Sequence, residues 1–186
     1  ILYLGQTLAR LMPDDIGRDL FFVYGSQDKY SIFSRMMAPL VESLGTGLAQ
    51  MIPLILSGAL FLLAAWWLTK DLPTRLLRWC AMLSLAVVAH TYGGHGAFSF
   101  AEPFLTARVL AEPFALFALV FLMQGRLAIA VASIVIAAAL HPLITLPALA
   151  TGWIFLVLQD RRWLWLAGVL VGAGVAGAAG VAPFDA

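Results

Sequence analysis

Residues 46–68 read TGLAQMIPLILSGALFLLAAWWL, and this stretch decides the fold class. It contains no charged side chain and exceeds the roughly 20 residues that a helix needs to cross a bilayer. Its last turn carries Trp66 and Trp67, whose indole rings suit the headgroup region of a membrane. The stretch therefore predicts a transmembrane helix.

The composition of the whole chain agrees with this prediction. Of its 186 residues, 62% are hydrophobic and 11% are charged, whereas a soluble domain typically carries about 25% charged residues. Further apolar segments follow the first, and together they predict six transmembrane helices over 46–68, 76–90, 109–124, 127–140, 144–158 and 163–181. We expect an all-α polytopic membrane protein in which the shorter helices line a protein-surrounded cavity.

Residues 1–44 differ from this bundle. The apolar run 1–12 is interrupted by Gln6 and Arg10 and is too short to cross a bilayer, so we interpret it as the end of a helix that begins before the sequence. Acids and an amphipathic pattern follow it, and they favour water or the membrane surface. We expect an outer-face segment with amphipathic juxtamembrane helices over 1–44, a transmembrane bundle over 45–186, and a longer parent chain.

The basic residues indicate the orientation. Three short loops between predicted spans hold six of the eleven basic residues: Lys70, Arg75, Arg78, Arg126, Arg161 and Arg162. Because basic loops stay in the cytoplasm, the other side receives all three histidines and most of the acids. We expect a protein of the bacterial inner membrane, with residues 13–44 and 92–107 on the periplasmic side.

Polar residues gather between the second and third predicted spans. His90 and His95 lie in a segment that also holds closely spaced glycines, which permit close approach of a ligand. Ser99 and Glu102 have the spacing of a capping box and predict that a helix begins there.

The next helix carries ionisable groups as well. Arg108 and Glu112 are four residues apart, so an ion pair between them is geometrically available. Pro113 removes a backbone hydrogen bond beside Glu112 and predicts a kink. His141 ends the fourth predicted span on the same side. Ionisable residues at a broken membrane helix indicate a functional site, while an ion pair inside a capped helix is the structural alternative.

A second polar group precedes the first span: Asp14, Asp15, Arg18, Asp19 and Asp28. Carboxylates in a loop above a membrane cavity can hold a divalent metal ion or accept a proton from an attacking hydroxyl. Asp19, Asp28 and His90 are the candidate metal ligands. The spacing of His90, His95, Glu102 and His141 follows no standard metal signature.

The first outer segment carries aspartates and amphipathic stretches, and the outer loop after the next short spans carries Glu and Arg at helix starts. This order of segments resembles the GT-C class of glycosyltransferases, integral membrane enzymes that use polyprenyl-phosphate-linked sugars. The strings Arg18-Asp19-Leu20-Phe21-Phe22, Tyr24-Gly25-Ser26-Gln27-Asp28 and Phe104-Leu105-Thr106-Ala107-Arg108 also look like bacterial polytopic membrane proteins of unassigned function that are related to this class. The resemblance implies transfer of a sugar from a lipid-linked donor at the outer face. No Asp-x-Asp or Glu-x-Asp triplet is present, so the catalytic base stays open among Asp19, Asp14 and Asp15.

The resemblance also implies that basic residues near the outer face hold the donor phosphate, with Arg108, Arg18 and Arg35 as candidates. The other candidate substrate-binding residues are His95, Glu102, Glu112 and His141. Membrane lipid and a polyprenyl-phosphate-linked sugar are the expected ligands. The chain has no basic stripe of the kind that binds nucleic acid.

Two other functions fit the same sequence. The last predicted span carries small residues at close spacing, which favour contact with another helix: Gly168, Gly172, Gly174, Gly177 and Gly180. This spacing favours the first alternative, a non-catalytic transmembrane subunit that packs in a larger membrane complex. Short, broken spans are also typical of transporters.

Overall fold

A computed structural model describes residues 2–25, 27–87, 91–92, 98–99, 102 and 104–166, and these are mostly helical. The α-helices are α1 Leu2–Leu11, α2 Phe33–Thr69, α3 Arg75–Val87, α4 Ala107–Met123, α5 Leu127–Leu140 and α6 Pro142–Gln159. Shorter helical turns cover Ile16–Arg18, Phe21–Gly25, Gln27–Tyr30 and Arg161–Leu164. Two short strands, β1 Thr91–Tyr92 and β2 Phe98–Ser99, pair in antiparallel fashion.

The predicted helical class is confirmed, and the predicted spans are matched in part. Among the described residues, α2 and α6 are the helices long and apolar enough to cross a membrane. The other helices on predicted spans are shorter, with 13 residues in α3, 17 in α4 and 14 in α5. Most of the sixth predicted span, 163–181, lies outside the described residues. That α3, α4 and α5 cross a membrane stays a prediction.

Helix α2 is two helices joined at Gly45. This residue has φ 75° and ψ 163°, a combination that is open almost only to glycine. A Cβ atom built at Gly45 would meet nothing within 4 Å, so the backbone conformation, rather than packing, requires glycine. The expected helix over 46–68 is the part of α2 that follows this break.

Helix α4 packs most extensively against α5 and next against α2. Ala111 and Ala115 of α4 are buried in one cluster with Ala137 and Leu140 of α5. Small side chains let helix backbones approach closely, so this interface has the packing that the sequence indicated for the last predicted span. The glycines of that span lie outside the described residues.

Helix α4 ends in a Schellman motif. Gly125 adopts a φ of 73°, its N–H donates to Leu122 O at 2.9 Å, and the N–H of Arg126 donates to Phe121 O at 2.8 Å. These two bonds satisfy carbonyls that the helix end leaves open, and the left-handed residue is a glycine because glycine has no Cβ penalty there. The motif turns the chain directly into α5.

Pro113 lies inside α4 and leaves the carbonyl of Val109 without its helical donor. Ser57 Oγ, on the neighbouring helix α2, donates a hydrogen bond to this same carbonyl. Ser57 and Val109 are both buried. A serine side chain thus replaces the missing N–H, which is one way in which proline is tolerated in helices surrounded by apolar material.

The start of α2 is anchored on the end of α5. Ser31 Oγ donates to Leu140 O at 2.6 Å, and the N–H of Ile32 donates to Ala139 O at 2.9 Å. Ser31 Oγ also accepts from the N–H of Phe33 at 3.0 Å, at the first residue of α2. A separate turn, Gln27–Tyr30, precedes this start of α2.

By Cα packing the chain divides into two units, the first ending at Ala148 and the second beginning at Leu149. In the second unit, Trp153 Nε1 donates to Trp163 O at 3.0 Å. Asp160 caps the turn Arg161–Leu164 by accepting from the N–H of Arg162 at 2.9 Å. Every residue of the candidate site below belongs to the first unit.

Candidate functional site

The start of α4 is built around Thr106. Its Oγ1 accepts from the N–H of Val109 at 3.1 Å and donates to Glu102 Oε2 at 2.8 Å. The other oxygen of this carboxylate, Oε1, forms an ion pair with Arg108. Both oxygens of Glu102 are therefore held, and the side chains of Arg108 and Glu102 are only 15% and 7% exposed.

One prediction for this segment is wrong. The capping signature at Ser99 and Glu102 does not begin a helix, because α4 begins at Ala107 with Thr106 as its cap. The spacing made an Arg108–Glu112 pair available, but the ion pair in the structure joins Arg108 to Glu102, six residues earlier. Glu102 lies outside the helix and reaches across its first turn, which no helical spacing rule anticipates.

Glu112 lies one turn further along α4 and is also buried, with 7% of its surface exposed. Its Oε1 atom has no hydrogen-bond partner among the described residues. The charges of Glu102 and Arg108 both act on it. The beginning of α4 thus concentrates two carboxyl groups and one guanidinium among apolar side chains.

His141 stands between α5 and α6 and caps α6. Its Nδ1 accepts from the N–H of Ile144 at 3.4 Å, so the neutral imidazole carries its proton on Nε2. Burial lowers the pKa of His141 below its usual 6.5, and the positive charge of Arg108 lowers it further, while Glu102 acts in the opposite direction. His141 is therefore neutral at pH 7 and belongs electrostatically to the Glu102–Arg108 group.

His141 also lines a cavity of about 290 Å³. The other residues around this cavity come from α1, from the turn before α2 and from the start of α6: Tyr3, Gln6, Tyr30, Ser31, Pro142 and Leu143. Gln6 is only 4% exposed, and the ring of Tyr3 is held edge-on against Phe33 with ring centres 5.4 Å apart. The α1 side of the cavity is therefore held by the fold, whereas Tyr30, Pro142 and Leu143 are exposed.

The acids of the N-terminal segment are placed differently. Asp14 and Arg18 form a pair at 3.1 Å, with side chains 92% and 73% exposed. Asp15 is exposed as well. Asp19 is exposed, and its Oδ1 accepts from the N–H of Phe21 at 2.8 Å. These carboxylates face solvent and keep acceptor positions open to it.

Asp28 has a basic partner in α1. Arg10 donates to Asp28 Oδ2 at 2.6 Å and to Ser34 Oγ at 3.1 Å. Arg10 and Asp28 also line a small polar cavity of about 200 Å³ together with Gln6. Arg35, one of the candidate phosphate ligands, is exposed on α2.

The structure thus brings together Glu102, Arg108, Glu112 and His141 and leaves Asp14, Arg18 and Arg35 at the surface. His90 and His95 lie outside the described residues. Within the part of the chain that the structure describes, no group of three or more acidic, histidine or cysteine side chains is placed to hold a metal ion.

Sequence reasoning missed several residues that build this site. Thr106, Ser31 and Tyr3 were not singled out, although Thr106 stands two residues before Arg108. Gln6 and Arg10 were read only as interruptions of an apolar run. Polar residues four apart in such a run share one helix face, and that spacing was the available signal.

Compared with known proteins, the chain matches no protein family, no curated protein and no solved structure.

Proposed function

We propose that the chain is an integral membrane protein that binds a polyprenyl-phosphate-linked sugar and transfers the sugar at the outer face of the bacterial inner membrane. The buried Glu102–Arg108 pair beside His141 carries this proposal. Charged groups inside an apolar helix assembly are costly and are typical of functional sites. The planar guanidinium of Arg108 suits phosphate oxygens, which it can bind in bidentate fashion.

The apolar surface supports the membrane location. Residues 46–69 of α2 contain no charged side chain. Large hydrophobic side chains along this part of α2 are between 43% and 63% exposed: Leu48, Met51, Ile52, Ile55, Leu56, Leu62 and Leu63. A contiguous apolar surface of this kind requires lipid or another protein to cover it.

In the proposed reaction a hydroxyl oxygen of the acceptor attacks the anomeric carbon of the sugar. The bond between that carbon and the phosphate oxygen breaks, and the lipid phosphate leaves with the electron pair. Arg108 stabilises the charge that develops on the leaving phosphate. A carboxylate among Asp19, Asp14 and Asp15 accepts the hydroxyl proton, and their exposure to solvent suits this role.

Binding by the protein in lipid nanodiscs tests the phosphate role of Arg108. Arg108→Lys keeps the charge but loses the bidentate geometry, so we expect binding of a radiolabelled polyprenyl-phosphate hexose to weaken about tenfold or more. Arg126→Lys is the matched control, because Arg126 is exposed at the far end of α4. Equal affinity of the two variants and the unaltered protein would remove the phosphate role.

Substitution of the acids tests the enzyme itself. Asp19→Asn, Asp14→Asn and Asp15→Asn each remove one candidate base without changing side-chain size. We expect one of them to reduce sugar transfer by about 100-fold or more while lipid-linked donor still binds. Full transfer activity in all three variants would contradict the proposed base.

A non-catalytic subunit of a larger membrane complex is the second candidate function. The exposed apolar face of α2 favours it, since a partner helix covers such a face as well as lipid does. Cross-linking in native membranes, followed by size measurement after mild solubilisation, distinguishes the enzyme from the non-catalytic subunit. A single species with the mass of the chain and its detergent supports the enzyme, and a larger heteromeric species supports the subunit.

A further inference from the structure

The cavity beside His141 is walled mainly by apolar surface, with a few polar groups set in it. It combines aromatic rings from Tyr3 and Tyr30 with the amide of Gln6, the hydroxyl of Ser31 and the imidazole of His141. Its volume of about 290 Å³ lies just below the range of about 300–1,000 Å³ that sites for drug-sized ligands occupy. The cavity therefore suits a ligand with a single ring.

The polar groups narrow the class of ligand further. Ser31 Oγ already donates to Leu140 O and accepts from the N–H of Phe33. The His141 Nδ1 atom is used by the N–H of Ile144, which leaves the Nε2–H as its donor. A neutral imidazole donor next to aromatic rings suits a neutral hydroxylated ring, with C–H groups on its faces and hydroxyls at its edge, better than an anion.

We infer that this cavity, lined by Tyr3, Gln6, Tyr30 and His141, is the subsite for the sugar ring of the donor. The inference rests on the proposed function and extends it, because it places the sugar in a different group of residues from the phosphate. Ala111, three residues after Arg108, is buried in one cluster with Leu140, the neighbour of His141, so Arg108 and the cavity lie at the same end of the α4–α5 pair.

Two probes separate the subsite from the phosphate site: a polyprenyl phosphate without sugar and the same lipid carrying one hexose, each bound to the protein in nanodiscs. The unaltered protein should bind the sugar-linked lipid about tenfold more tightly than the bare lipid phosphate. Tyr30→Leu and His141→Asn should each remove at least about threefold of this advantage, the effect of a lost hydrogen bond or ring contact. Tyr30→Leu, which is remote from the Glu102–Arg108 pair in the chain and exposed, should leave binding of the bare lipid unchanged.

Both substitutions are chosen to keep the fold. Tyr30 is 74% exposed, and asparagine is a favoured helix cap that can replace the His141 bond to Ile144. Tyr24→Leu is the matched control, since Tyr24 is 82% exposed and does not line the cavity. It should retain the full advantage of the sugar-linked lipid.

The outcomes are distinct. A sugar-dependent advantage that survives both Tyr30→Leu and His141→Asn overturns the subsite while the proposed function stands. A protein that binds neither lipid overturns the proposed function, and the subsite with it. If Tyr24→Leu reduces the advantage of the sugar-linked lipid as much as Tyr30→Leu does, the loss comes from any exposed tyrosine rather than from the cavity. That result also overturns the subsite.

Discussion

At the end of α5, one imidazole serves the fold and the site together. His141 caps α6 through Nδ1 and lines the cavity beside α1. The charges of Arg108 and Glu102 act on its pKa. Protonation would place a donor on Nδ1, where the cap needs an acceptor. It would also add a second positive charge near Arg108.

The stability of the protein should therefore fall in mild acid. Because the pKa of His141 is lowered on folding, the unfolded chain binds the proton more readily, and the folded state loses stability as the pH falls below about 6.5. His141→Asn should flatten this part of the profile. The unfolding temperature of the unaltered protein and of His141→Asn is measured in detergent from about pH 7.5 to about pH 5.5. Parallel profiles of the two proteins would contradict the role of His141.

Side-chain identities were more predictable at this site than side-chain partners. Arg108, Glu102, Glu112 and His141 stand out because ionisable residues are rare in an apolar chain. The partner of Arg108 was not predictable, since two capping signals, at Ser99 and at Thr106, compete within eight residues. Which of them begins the helix decides whether Glu102 lies in the helix or folds back over its first turn.

Among the elements, α4 depends on its neighbour for a complete set of hydrogen bonds. The sequence shows Pro113, but it does not show that Ser57 lies opposite the carbonyl that the proline leaves open. That contact joins residues 52 positions apart and exists only once α2 and α4 have packed.

Ser57→Ala should leave the buried Val109 carbonyl without a donor and should destabilise the protein by about 1–3 kcal/mol. Pro113→Ala restores a backbone N–H, so the double variant should regain most of this loss. Ser84→Ala is the control, because Ser84 is exposed and bonds only within its own turn of α3. Denaturation in mixed micelles is measured for the unaltered protein, the two single variants, the double variant and Ser84→Ala. An equal loss from Ser57→Ala with alanine at 113 would contradict the coupling.

The break in α2 gives a second prediction for this element. Gly45→Ala places a side chain on a backbone that only glycine adopts readily, and it should cost about 1–3 kcal/mol. Gly47→Ala, two residues further into the helix, should instead stabilise by about 0.5–1 kcal/mol, since its Cβ meets open space. Opposite signs in the unfolding free energy are expected, and stabilisation by both would show that the break is dispensable.

For the whole molecule, the orientation in the membrane is the central prediction. The chain has one cysteine, Cys80, so cysteines are placed singly in a Cys80→Ser background. We expect an impermeant thiol reagent to label Asp14→Cys from outside intact cells, and Asp71→Cys only after permeabilisation. Both positions are exposed in the structure. Labelling of the reverse set would invert the topology.

Composition alone indicated the helical class, which the structure confirms. The side of the membrane on which the acids lie, inferred from the charges, stays a prediction. The assembly of the site could not be read in the same way. Gln6, Ser31 and His141 come from segments far apart in the chain, and no local pattern links α1 to the end of α5. Only their packing shows that they surround one cavity.

The bond from Ser31 to Leu140 also sets an order of events during synthesis. It joins positions 109 residues apart, and contacts of such separation form late because the intervening chain must first be made and placed. A nascent chain that stops before residue 139 already contains Asp14, Asp19 and Arg108. It lacks the carbonyls of Ala139 and Leu140 that hold the start of α2, and it lacks His141, Pro142 and Leu143. The cavity therefore forms only once the start of α6 has been made.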